Sequence, residues 1–111
     1  MFPPDVPTAS VSDVGSEAFL LDVREDDEWA AGHAPGARHL PMQEVPARLD
    51  EVPMDGEVYV VCRSGGRSAQ VTAYLMGNGW DNVRNVDGGM RAWDAAGLPL
   101  ESAGDAPPRI I

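Results

Sequence analysis

Lysine is absent. All eight basic residues are arginines, which excludes Schiff-base chemistry and a lysine nucleophile. Cysteine is nearly absent: Cys62 is the only one. No disulfide can form within the chain, and no site built on several cysteines can hold a metal. Positive charge is scarce. Against 18 acidic residues, the arginines leave a formal net charge of -10. Clustered positive charge is what neutralises phosphates and docks on anionic lipid, so neither nucleic acid nor a membrane surface is expected as a partner. No stretch nears the ~20 apolar residues of a membrane span. The start, Met1-Phe2-Pro3-Pro4-Asp5, has no basic residue and no apolar run, so no signal peptide is read there. A cytoplasmic protein with a reduced thiol is expected.

What is present suits a folded domain. The chain has 111 residues, 43% hydrophobic and 23% charged. A chain of that size buries roughly 65% of its unfolded surface, enough for a core without staples. The first eight residues hold three prolines and read as an extended lead-in. Residues 11–14 suggest a helical turn. Phe19-Leu20-Leu21-Asp22-Val23 is apolar on both faces, as a buried parallel strand is. The acidic run 25–28 opens a short helix that ends at Gly32. Residues 37–40 suggest a short strand and residues 43–52 a modest helix. Glu57-Val58-Tyr59-Val60-Val61-Cys62 is the clearest strand, β-branched and aromatic. Ser68 is placed to cap a helix reaching about Met76. Residues 83–86 form another strand, and residues 90–96 a last helix closed by Gly97. Strand and helix alternate with short connections, which implies an α/β fold with a parallel sheet covered on both faces.

In such a sheet the working site lies beyond the carboxyl ends of the strands. Cys62 sits at such an end. Arg63-Ser64-Gly65-Gly66-Arg67 follows, and then a helix starts. Glycines let the backbone curl until successive N–H groups point into one concavity. The helix N-terminus adds partial positive charge there, and Arg63 and Arg67 add full charges. A thiol so placed is expected to ionise readily, and the same cradle suits an anion presented to the sulfur. A cysteine ending a strand is ordinarily a small buried hydrophobe. Apolar packing gives no reason to follow it with Arg-Ser-Gly-Gly-Arg.

These residues resemble a known family. Cys62 to Ser68 is similar to the active-site loop of single-domain rhodaneses, which are sulfurtransferases. Leu21-Asp22-Val23-Arg24 with Glu28-Trp29 resembles the family's second-strand motif. Gly32-His33-Ala34-Pro35-Gly36-Ala37 resembles its Gly-His-Ile-Pro-Gly-Ala turn, with Ala34 where a larger aliphatic residue is usual. Val86-Asp87-Gly88-Gly89-Met90-Arg91-Ala92-Trp93 resembles its last strand and turn, and residues 96–99 its close. Four motifs in the right order make the resemblance specific. It implies a three-layer α/β/α rhodanese-like fold with a five-stranded parallel sheet; residues 1–101 are read as the domain, and residues 102–111, rich in Ala, Gly, Pro and Asp, as an extended, solvated tail. It also implies that Cys62 takes sulfur from a small anionic donor such as thiosulfate, becoming a persulfide, and passes it to a thiol or cyanide. Arg63, Ser64, Gly65, Gly66, Arg67 and Ser68 would bind the donor and stabilise the persulfide. No cofactor or metal is required.

Asp22 and Arg24, at a neighbouring strand end, are candidates for the pocket rim, although an ion pair of Arg24 with Glu28 holding the turn is the stronger reading. Gly88 and Gly89 are rim candidates because a Gly pair after a strand permits close backbone approach. His33 is read as a turn histidine bonded to nearby backbone, and the three tryptophans as packing. With no second thiol on the chain, the acceptor must be external: a small thiol, a thioredoxin-like protein or cyanide. Two other readings stand beside sulfur transfer. One is a persulfide relay or protein-binding module. The other is a cysteine-dependent phosphatase or arsenate reductase, whose signature places five residues between Cys and Arg. Here four lie between Cys62 and Arg67, which favours sulfur transfer.

Overall fold

The computed structural model describes residues 5–111. Half of the expected lead-in, residues 1–4, lies outside them. Five strands form one parallel sheet: β1 (Thr8–Ala9), β2 (Phe19–Asp22), β3 (Arg38–His39), β4 (Val58–Val61) and β5 (Val83–Val86), in the order β1-β5-β4-β2-β3. The helices are α1 (Asp26–Ala31), α2 (Gly66–Gly77) and α3 (Gly89–Ala95). Short 3-10 turns span Val11–Asp13, Met42–Ala47 and Leu49–Glu51.

β4 lies at the centre, and all four of its residues are buried. Their alternation divides the core. Val58 and Val60 join Leu21, Val71, Leu75 and Trp80 on the face covered by α2. Tyr59 and Val61 join Leu20, Val86, Met90 and Trp93 on the face covered by α3. A strand apolar on both faces is thus a strand with a layer on each side, and the three-layer α/β/α architecture follows.

Some local expectations need correction. The proline-rich lead-in yields the edge strand β1, because Pro7 and Ala9 carbonyls accept the amides of Asn85 and Asp87, each at 2.8 Å. Residues 43–52 are not an α-helix but two 3-10 turns. Pro46, which has no N–H to donate, sits inside the first of them. The tail, expected to be extended and solvated, is not free in solvent. Ala103 and Arg109 donate backbone hydrogen bonds to Ala30 and Ala31 at 3.0 and 2.9 Å, and Ile110 packs on the α3-side core. Gly32 allows that approach, since a Cβ there would lie 2.4 Å from the Arg109 carbonyl oxygen.

Connections leave the central pair in opposite directions. From β2 the chain passes through α1 outward to β3; from β4 it passes through α2 to β5 on the other side. The carboxyl ends of β2 and β4 therefore flank a topological switch point, where open α/β sheets place their ligands. Cys62 stands there.

Candidate active site

The loop after β4 closes around its own sulfur. Gly65 adopts φ +116°, a left-handed conformation open to glycine, and stands at the N-cap of α2. This turn aims the Gly65 amide back at Cys62 Sγ, 3.1 Å away. The Ser68 hydroxyl reaches the same sulfur at 3.2 Å. Ser68 therefore does not cap the helix as its sequence position suggests. α2 begins two residues earlier, and Ser68 lies inside its first turn, fully buried. Burial pushes the Cys62 thiol up, but hydrogen bonds from the Ser68 hydroxyl and from the amides of Ser68, Gly65 and Ser64 outweigh it. The net direction is below the ordinary thiol value.

The loop is held from beneath by α3. Met90 N–H donates to the Cys62 carbonyl at 2.8 Å, and Arg91 N–H to the Arg63 carbonyl at 3.0 Å. Gly89 makes this possible: at φ +56°, a Cβ there would stand 2.4 Å from the Cys62 carbonyl oxygen. The Gly88-Gly89 pair serves close backbone approach to the loop. Gly89 is buried and Gly88 half-buried.

The arginines divide sharply. Arg63 is exposed and, among the described residues, enters no ion pair. Arg67 is engaged by Glu28 of α1, Nη1 to Oε1 at 2.7 Å and Nη2 to Oε2 at 2.9 Å. Glu28 was expected to pair with Arg24, but Arg24 is committed to Asp22 through contacts of 2.7 to 3.1 Å. Asp22 and Arg24 are not on a rim: both side chains are 0% exposed. Arg24 also donates to the carbonyls of Glu28 and Gly32, at 3.3 and 2.8 Å. It ties β2 to both ends of α1.

His33 Nδ1 lies 2.7 Å from the Trp29 carbonyl oxygen, the backbone partner expected for it. The Trp29 ring is sandwiched by His33 and His39, centroids 3.7 and 4.7 Å away. Among the described residues no group of three His, Cys, Asp or Glu is placed to hold a metal ion. Among the described residues no helix is long and apolar enough to cross a membrane.

Sequence reasoning missed Asn85. It lies on β5, buried, its Oδ1 2.5 Å from Ser68 Oγ. A signal existed. Arg84 and Asn85 are adjacent polar residues in a strand, so one of them must face inward.

A cysteine cradled by its own glycine-rich loop at the switch point of a parallel sheet defines a class of α/β domains suited to presenting a sulfur nucleophile or holding an anion. The family itself is shown by comparison. Residues 9–96 match the rhodanese-like domain, and the chain belongs to that family. A sulfurtransferase of Allochromatium vinosum is 45% identical over 84 residues, covering 76% of this chain and 78% of the relative. The thiosulfate sulfurtransferase GlpE of Pseudomonas putida is 40% identical over 86 residues, covering 78% and 77%. The crystal structure of a rhodanese-related protein from Thermoplasma volcanium superposes with a TM-score of 0.79 at 26% identity, covering 86% of this chain and 97% of that one. The kinship is thus with rhodanese-type sulfurtransferases.

Proposed function

We propose that this chain transfers sulfane sulfur from thiosulfate, or a similar small anionic donor, to an external thiol or cyanide through a persulfide on Cys62. One observation carries the reading: Cys62 Sγ receives both the Gly65 amide and the Ser68 hydroxyl at the carboxyl end of the central strand. Those donors favour the thiolate, which is the nucleophile. In the first step the thiolate attacks the outer sulfur of thiosulfate. A Cys62 S–S bond forms, the donor S–S bond breaks, and sulfite leaves with the electron pair. In the second step an acceptor thiolate attacks the outer sulfur of the persulfide, taking it and returning Cys62 as thiolate. No general base is needed, because both nucleophiles enter ionised.

Amides of Ser64, Gly65 and Ser68 face the charge that develops on sulfur, as an oxyanion hole does. Exposed Arg63 offers an unpaired positive charge to the incoming donor. Cys62 is the chain's only thiol, so turnover stalls when acceptor is withheld. A reduced thiol fits a cytoplasmic setting.

The test is to incubate reduced protein with thiosulfate, remove the excess and weigh it. A gain of one sulfur atom, absent in Cys62→Ser, is expected. Unchanged mass with Cys62 still alkylatable overturns thiosulfate as donor. It favours the second reading, a persulfide relay loaded by a protein. An apolar cleft of about 260 Å³ beside α2, lined by Met42, Val45, Pro46, Gln70, Val71 and Tyr74, gives that reading a surface. Turnover of an aryl phosphate, lost in Cys62→Ser, would instead mark a phosphatase.

A further inference from the structure

Ser68 has one hydroxyl proton and two acceptors within reach. Its Oγ lies 3.2 Å from Cys62 Sγ and 2.5 Å from Asn85 Oδ1. A hydroxyl donates to one partner at a time. Neither partner is free to drift. Ser68 is in the first turn of α2, and its carbonyl accepts the Thr72 hydroxyl at 2.8 Å. Asn85 is pinned in the sheet between Thr8 of β1 and Val60 of β4. Both are buried, Ser68 at 0% and Asn85 at 7% exposure. Water therefore offers little substitute when either bond is lost.

We propose that Asn85 is a positioning residue that competes with Cys62 for the Ser68 proton and so sets the reactivity of the sulfur. It touches Ser68 and not the reacting atom. With a neutral thiol, the short O–H···O bond to Asn85 holds the proton. When sulfur is ionised, the charge-assisted bond is the stronger and the proton swings to Sγ. That swing leaves Asn85 Oδ1 without its donor in a buried place, which taxes the thiolate. Asn85 therefore restrains how far the loop stabilises sulfur. A thiolate stabilised less is a better nucleophile.

Arg67 on α2 bears on Cys62 and is paired to Glu28 on α1. Arg63 in the loop and Asp87 beyond β5 are exposed. Asp22 and Arg24, at the end of β2, neutralise each other. None of them contacts Asn85 by a hydrogen bond.

The inference uses Cys62 as the nucleophile of the proposed function, but its test reads the thiol directly and needs no sulfur donor. The rate of Cys62 alkylation by iodoacetamide is measured against pH on the full chain. The variants are Asn85→Leu, Asn85→Ala, Ser68→Ala and Ser68→Ala with Asn85→Ala. Leu keeps the branched shape and Ala avoids overpacking, so a variant whose circular dichroism departs from wild type is read through the other. Losing the Asn85 acceptor is expected to lower the midpoint, speeding alkylation on the acid limb about fivefold. Ser68→Ala is expected to raise the midpoint, and in that background Asn85→Ala is expected to change nothing. A raised or unmoved midpoint in the Asn85 variants overturns the proposal. So does a shift that survives the loss of Ser68. Failure to load sulfur from thiosulfate would count against the proposed function alone.

Discussion

Arg67 and Glu28, 39 positions apart in sequence, meet in a two-pronged ion pair that joins the Cys62 loop to α1. The pair joins α1 to the first turn of α2 and consumes one of the two loop charges. Glu28→Gln is expected to free Arg67 and lower KM for thiosulfate about fivefold, the scale of a partly exposed pair. Arg67→Ala is expected to raise KM, and adding Glu28→Gln to recover part of that loss. Arg63→Ala should raise KM on its own. Arg91→Ala should not, since Arg91 meets the loop through its backbone. Initial rates on the five variants and wild type check this, and equal effects for Arg63→Ala and Arg91→Ala would remove the arginine from the donor site.

The same pair carries an acid signature. The Arg67 hydrogen bond, opposed in part by burial and aided by the Glu25 amide, holds the Glu28 carboxyl below its usual range. A depressed carboxyl contributes stability that is present above its unfolded pKa, about 4.3, and lost as pH falls through the lower folded value. Glu28→Gln is therefore expected to destabilise at neutral pH and to match wild type at strongly acid pH. Urea unfolding across that range measures it; a deficit independent of pH would mean the carboxylate charge is not what stabilises.

Arg24 and Asp22 are a different kind of pair. Both are fully buried, and Arg24 also satisfies two carbonyls of the turn. Removing one member strands the other charge in the interior. Arg24→Ala is expected to cost about 3–5 kcal/mol, a large part of a typical domain's 5–15 kcal/mol. Urea midpoints of purified protein give the number. A loss on the order of 1 kcal/mol would show that water reaches Asp22.

Glycines on either side of the loop separate geometry from stability. Gly89→Ala places a methyl 2.4 Å from the Cys62 carbonyl oxygen. It is expected to drive α3 from the loop, slow persulfide formation and lower the melting temperature. Gly66→Ala meets open space, without a left-handed φ, at the first helical position. It is expected to leave α3 on the loop and to raise the melting temperature, stabilising by about 0.4–1 kcal/mol. Similar behaviour of the two variants would mean the loop does not lean on α3.

The sheet was legible wherever a strand is buried on both faces, because Phe19–Asp22 and Val58–Val61 carry their burial in their composition. β1 was not. Two residues between a proline and a serine hold no pattern, and only the β5 edge makes them a strand. The loop residues were readable as a set, since Cys62, the glycines and the helix start are contiguous. The pairing inside the site was not. Arg24 and Arg67 each had acidic neighbours to choose from, and the choice depends on which strand ends the topology brings together. Ser68 looked like a cap because its type favours one. Its burial against β5, which no local signal encodes, turned it toward sulfur.

Cys62 also links pH to folding. Its thiol is pushed up by burial and drawn down further by the Ser68 hydroxyl and the loop amides, so the folded value lies below the unfolded one of about 8.5. Between the two values the unfolded chain holds a proton that the folded chain has released. Stability then rises with pH, by at most about 1.4 kcal/mol per unit. Above about 8.5 the contribution is fully present; as pH falls through the folded value it is lost. Cys62→Ala removes the titrating group. Wild type minus Cys62→Ala is therefore expected to grow across that window and stay flat on either side, measured by urea unfolding of reduced protein. A difference that shrinks as pH rises would mean that burial outweighs the loop's donors and that the resting sulfur is a thiol.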